Sequence, residues 1–222
     1  MKVLFISKDR QDPYISSASA FIQKNFVDPA IFLAKPGQSI PENVLTWQGD
    51  LLISYLCPWV LPASLLANAR FAALNFHPAT PDYPGTGCTN FAIYNGEKEY
   101  GVMCHHMVPT VDSGKVVAVR RFPILPNESV YSLTQRCYAY MLELFYEIIS
   151  GIVMGKPLPE SCEHWTRKPY RRVELNELKR LELDMPLEEI QRRVRATAYP
   201  GTQGAYFEID GMRFEYVPEE NK

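Results

Sequence analysis

Short apolar runs alternate with mixed apolar–polar stretches along the first half of the chain, and that alternation predicts the order of elements. Val3–Ile6 is a continuous apolar run, the pattern of a strand covered on both faces. Ser17–Phe26 follows with helical spacing. Ala30–Ala34 predicts a second strand closed by Pro36-Gly37, and Leu51–Leu56 a third, introduced by Gly49-Asp50. Leu61–Ala69 suits a short helix with Pro62 in its first turn, and Ala72–Phe76 a fourth strand. Strands separated by helical patterns argue for βαβ units, hence an α/β fold with a mostly parallel twisted sheet and helices on both faces.

Beyond a Pro/Gly-rich loop, Cys88–Tyr94 predicts a helix ending at Asn95-Gly96. Tyr100–His106 and Lys115–Phe122 predict two more strands. Asn127 or Ser129 can cap a long, largely buried helix running to about Ser150, with Gly151 and Gly155 marking its end. At Pro157 the character changes: prolines and charges dominate to about Asp184. A helix is then predicted from Asp184 as cap, with Pro186 just inside, to Ala196. Asp210-Gly211 between Ala205–Ile209 and Met212–Val217 is a two-residue hairpin signal. The expected division is therefore residues 1–156 as one α/β domain and 157–222 as an extension of linker, helix and hairpin.

Composition narrows the function. The 222 residues are 46% hydrophobic with a formal net charge of -2, so a packed core is expected and no basic footprint for nucleic acid. The one local basic cluster, Arg167-Lys168 with Arg171-Arg172, could meet a small anion or lie solvated. Five cysteines without a CxxC pair suggest free thiols in a reducing compartment and no metal site. The N-terminal apolar segment is too short for a secretory signal, and no run approaches the ~20 apolar residues of a membrane span. Cytoplasmic location, with no membrane partner, is the expectation.

The chemistry concentrates at the end of the fourth strand. Asn75 and His77 are two apart, so in a strand both side chains point to one side. They precede NFHPATPDYPGTG's prolines, which restrict the backbone just where two side chains must be held. The carboxyl end of a parallel strand is where open α/β sheets build their sites. There the histidine could shuttle a proton or donate to an oxyanion, and the asparagine amide could also donate. A strand-end pair satisfying loop carbonyls explains them equally well. Val111-Asp112-Ser113-Gly114, between two strands, adds a carboxylate that could orient an imidazole and accept a proton; alone, it is also an ordinary turn. Of His105 and His106, alternation lets only one face the same site.

Taken in order, NFHP, PxYxG, a helix, GVMCHHM and VDSG resemble the formyltransferases that use 10-formyltetrahydrofolate. The family includes phosphoribosylglycinamide, methionyl-tRNA and sugar-nucleotide enzymes. The resemblance covers Asp50 to about Gly155 and implies a Rossmann-like domain without a metal. It implies catalytic roles for Asn75, His77 and Asp112. It also implies a folate site along Leu56–Pro62 (Cys57, Pro58, Trp59 and Val60) that reaches Asp112, with simple packing as the alternative for Trp59. The loop after the first strand, SKDRQDP, lacks the glycines of a phosphate cradle. Lys8 and Arg10 there could meet a diphosphate or form a surface turn. Tyr83, Gly85, Thr86, Asn90 and His105 could contact an acceptor sugar or base, and Gly87 could let the backbone approach it.

The tail, RKPYRRVELNEL with IQRRVRATAYPGTQGAYFEIDG, resembles the segment after the catalytic domain in the methionyl-tRNA and sugar branches. With only a hairpin-sized piece where the tRNA enzymes carry a barrel, the resemblance points to the sugar branch. It implies formylation of a 4-amino-4,6-dideoxy sugar on dTDP or GDP, for a bacterial surface polysaccharide. The alternatives are a phosphoribosylglycinamide or methionyl-tRNA formyltransferase-like activity and a non-catalytic folate- or nucleotide-binding module. The tail could also form a homodimer surface or pack back on its own domain.

Overall fold

The computed structural model describes residues Met1–Val217. Its larger sheet has six strands: β1 (Val3–Lys8), β2 (Ala30–Ala34), β3 (Gly49–Tyr55), β4 (Ala69–His77), β5 (Glu99–His106) and β6 (Val116–Pro123), in the order β2-β1-β3-β4-β5-β6. The first four are parallel; β5 pairs antiparallel with β4, and β6 with β5. The expected mostly parallel sheet is present, with an antiparallel edge built from the two strands that follow the Pro/Gly loop.

Period-two burial explains why β1 and β3 are apolar throughout. Val3, Phe5, Leu51, Ile53 and Tyr55 face one helical layer, and Leu4, Ile6 and Leu52 face the other. The first layer is α1 (Pro13–Asn25) with α5 (Val130–Val153); the second holds two short helices, α2 (Glu42–Leu45) and α3 (Ala63–Ala67). Phe145 of α5 meets the rings of Phe5, Tyr55 and Phe76 edge-on, locking three strands to one helix. Ser129 caps α5 and exchanges hydrogen bonds with Ser132.

Three expectations need correction at their ends. α1 starts four residues before Ser17, because Asp12 Oδ1 accepts from the Tyr14 and Ile15 amides and Pro13 suits the first turn. β4 begins at Ala69 rather than Ala72 because its first residue pairs with Gly49. In the extension, α7 (Leu187–Thr197) starts after Pro186, which is its N-cap; Asp184 lies outside it.

The Pro- and charge-rich stretch expected to be linker contains α6 (Arg172–Lys179) and β7 (Arg180–Leu181). Glu174 accepts from the Arg171 amide to start α6, and Leu175, Leu178 and Leu181 are buried. β7 joins β8 (Tyr206–Ile209) and β9 (Met212–Glu215) in a small second sheet, with Asp210-Gly211 turning the hairpin at positive φ as expected. The segment after Gly155 packs back on the rest of the chain through α7 and α4 (Cys88–Asn95). Asn90 Nδ2 donates to the Ala196 carbonyl at 2.8 Å, and Tyr94 donates to Glu189 at 2.8 Å. Met212, Phe214 and Tyr216 on the hairpin stay exposed. Among the described residues, no helix is long and apolar enough to cross a membrane.

Candidate active site

Sheet register assembles the centre. Ser54 of β3 is paired with Asn75 of β4, and Asn75 with His105 of β5, so three polar residues form one row across adjacent strands. Hydrogen bonds run along that row. Ser54 Oγ donates to Asn75 Oδ1 at 2.7 Å, which fixes the amide's orientation and aims Nδ2 at His105 Nε2, 3.0 Å away. His105 Nδ1 sits 2.9 Å from the His106 carbonyl and carries a hydrogen towards it, while Nε2 lies within reach of both Asn75 Nδ2 and Asp112 Oδ1. His105, rather than His106, is the histidine that faces the site.

Asn75 and His77 line one cleft, as their spacing predicts. Asp112 comes from the loop after β5 and lies between the two imidazoles: Oδ2 is 3.7 Å from His77 Nε2, and Oδ1 is 3.5 Å from His105 Nε2. The Gly85 amide donates to Asp112 Oδ2 at 2.7 Å and ties the two loops together. Burial disfavours the charged form of Asp112, but His77, His105 and the Gly85 amide outweigh it and hold the carboxyl well below its ordinary range. His77 is shifted down from 6.5, because burial outweighs the opposing pull of Asp112. The pair at neutral pH is a neutral imidazole beside a carboxylate.

The cleft has a volume of about 270 Å³. It is bounded by Cys57–Leu61 on one side and by Met107–Asp112 on the other, with Gly85 and Thr86 at its edge. This is below the ~300–1,000 Å³ of whole-ligand pockets, so it suits one ring system of a larger molecule. Two non-glycine residues at positive φ flank it: Leu56, opening the first wall, and Asp112 itself, at φ 55 and 45 respectively. Each costs on the order of 1–2 kcal/mol of backbone strain. Such strain is tolerated where the surrounding structure dictates the geometry.

The remaining expected residues divide. Cys57, Pro58, Trp59 and Val60 line the cleft, but the Trp59 indole also packs: Nε1 donates to the Gln38 carbonyl and the ring lies against Phe32. Gly85, Thr86 and His105 also line the cleft. Tyr83 does not; its side chain is buried and donates to Glu97 at 2.6 Å, while its carbonyl faces His77 Nε2 at 3.5 Å. The Asn90 amide is spent on the Ala196 carbonyl. Lys8 and Arg10 sit over the Tyr138 ring, Arg10 pairs with Asp12, and neither borders the cleft. In the basic cluster, Arg167 stacks on Tyr170 and Arg171 pairs with Glu174.

Three participants escaped the sequence reading. Ser54 carried no signal, because strand register is invisible in a linear pattern. Cys88 places Sγ 3.7 Å from His77 Nε2 and donates to the Gly85 carbonyl; burial, then Asp112, pushes its thiol up to about 12, so it stays protonated. Trp165 lies edge-on to His105 with ring centroids 5.0 Å apart.

A mostly parallel sheet carrying an Asn-x-His strand end, a loop aspartate between two histidines and a ring-sized cleft offers the hydrogen-bond donors and the carboxylate that transfer of an acyl or one-carbon unit needs. A family model for formyl transferases matches residues 18–149, and the chain belongs to that family. Methionyl-tRNA formyltransferase of Latilactobacillus sakei is 25% identical over 84% of this chain and 59% of its own length. GDP-perosamine N-formyltransferase of Brucella melitensis is 28% identical over 76% of this chain and 64% of its own. The chain thus spans less than two thirds of these relatives. An N-formyltransferase of Helicobacter canadensis, solved with folinic acid and dTDP-3-aminofucose, superposes with a TM-score of 0.75. At 17% identity it covers 95% of this chain and 85% of that one.

Proposed function

We propose that this protein transfers the formyl group of 10-formyltetrahydrofolate to the amine of a nucleotide-linked sugar, a 4-amino-4,6-dideoxy sugar on dTDP or GDP. The product would serve a bacterial surface polysaccharide. The observation that carries the reaction is Asp112 held ionised between His77 and His105, beside an Asn75 amide whose orientation Ser54 fixes. Folate enters with its ring system in the cleft between Cys57–Leu61 and Asp112. The acceptor amine attacks the formyl carbon; the formyl oxygen becomes an oxyanion, and Asn75 and His77 donate to it. Asp112 receives the proton that the amine sheds. The bond from the formyl carbon to folate N10 then breaks, and N10 takes up a proton, leaving tetrahydrofolate and an N-formyl sugar.

The sugar branch is favoured over the tRNA branch by the chain's net charge of -2 and by the sugar-linked relative and structural neighbour. Release of tetrahydrofolate in an acceptor screen tests the proposal. Turnover is expected with dTDP- or GDP-linked 4-amino sugars. Turnover with glycinamide ribonucleotide or charged initiator tRNA, and none with these sugars, would assign the acceptor elsewhere.

A further inference from the structure

The segment from Pro157 to Arg171 is not a free linker; it is laid along the Asn75–Gly87 loop. The Thr166 amide donates to Pro81, the Tyr170 amide to Pro84 at 2.9 Å, and the Thr86 amide to Tyr170 at 2.9 Å. Gly85 accommodates this strap, since a Cβ there would overlap the Tyr170 backbone. Midway along the strap, Trp165 donates its indole N–H to the Gly114 carbonyl at 2.7 Å, two residues past Asp112. Its ring lies edge-on to His105, 5.0 Å away between centroids, and tilted to His77 at 6.4 Å. Trp165 is not among the residues that line the cleft.

One side chain therefore stacks edge-on against His105, lies beside His77 and is hydrogen-bonded to the loop that carries the carboxylate. We propose that Trp165 is a positioning residue: it sets the spacing of His77, His105 and Asp112 and keeps water from the imidazoles. The groups that face His77 are Asp112, His105 and the protonated Cys88 thiol, with Tyr100 near that thiol; Trp165 adds no charge to this set. Its effect on the imidazole is exclusion of solvent, which disfavours the charged form. Removing the ring admits water, so the His77 pKa moves up towards 6.5. Removing only the N–H leaves the burial and loosens the Gly114 loop.

The test is a histidine NMR titration of the full chain, in which His77 is followed in the parent protein, Trp165→Ala, Trp165→Leu and Trp165→Phe. Trp165→Ala and Trp165→Leu should raise the His77 midpoint by about 0.5 unit or more, and Trp165→Phe should leave it in place. A Leu side chain supports the fold but is too small to cover what the indole ring shields, so Trp165→Leu decides the matter if Trp165→Ala does not fold. An unmoved midpoint in the folded Leu variant overturns the proposal. The kinetic arm rests on the formyl-transfer reading: kcat should fall about 10-fold in Trp165→Leu, with KM for folate within about 3-fold. The titration needs no acceptor. A shifted midpoint in a protein that formylates no sugar would therefore contradict the function and leave the positioning role standing.

Discussion

Two regions meet at His77 and differ in how their sequence relates to their work. The loop from Asn75 to Gly87 carries polar groups at a strand end and prolines that hold them, so its residue types announce chemistry. The strap from Pro157 to Arg171 is proline-rich and charged, the composition of a solvated connection. Yet it pairs with the Asn75–Gly87 loop through backbone amides and sets an indole beside two histidines. The first region acts through side chains directed into a cleft. The second acts through where its backbone runs, and hydropathy does not record that.

If the centre that this loop forms with Asp112 does the chemistry, Asp112→Asn should produce the largest loss outside the histidine itself: kcat for tetrahydrofolate release down by at least ~100-fold. An unchanged rate would remove the carboxylate from the mechanism. Ser54→Ala tests the row across the strands one step away from the reacting atoms. Losing one hydrogen bond that orients Asn75 is worth about 1 kcal/mol, so kcat should fall about 5-fold with folate KM within about 2-fold. Equal losses in both parameters would make Ser54 a binding rather than an orienting residue.

Gly85→Ala probes the seam between the two regions. It combines a φ of +89 with overlap onto the Tyr170 backbone. It should cost about 2 kcal/mol and lower the melting temperature by roughly 4–8 °C. A melting temperature equal to the parent's would mean that the strap lifts away freely. The smallest effect expected is on pH dependence. Burial lowers the His77 pKa from 6.5, so the imidazole stays neutral throughout the range above that value and charges only below it. The profile of kcat/KM should be flat on its acid side down to about pH 6.5 and fall below it. An acid limb centred above 6.5 would show that Asp112, rather than burial, controls the ring.

Much of the fold was readable because β1 and β3 are apolar on both faces and α4, α5 and the 210–211 turn carry strong end signals. What failed were ends and crossings. α1 starts at a cap, Asp12, that lies outside the apolar pattern, and α6 is anchored by leucines in a segment dominated by charge. In the site, Asn75, His77 and Asp112 stood out by type and order, whereas the wall from Cys57 to Val60 came only from the family resemblance. Ser54 and the choice of His105 over His106 depend on register between strands distant in sequence. Tyr83 and Asn90 had the right chemistry in the right loop, but Glu97 and Ala196 engage them.

The central claim is that His77 acts on the formyl group rather than holding the cleft together. Single-turnover transfer from 10-formyltetrahydrofolate to an aminosugar nucleotide by His77→Ala, with folate affinity measured on the same sample, tests it most directly. The account predicts transfer slowed by at least ~100-fold, with folate bound within about 5-fold of the parent. Transfer at the parent rate with folate bound would contradict it.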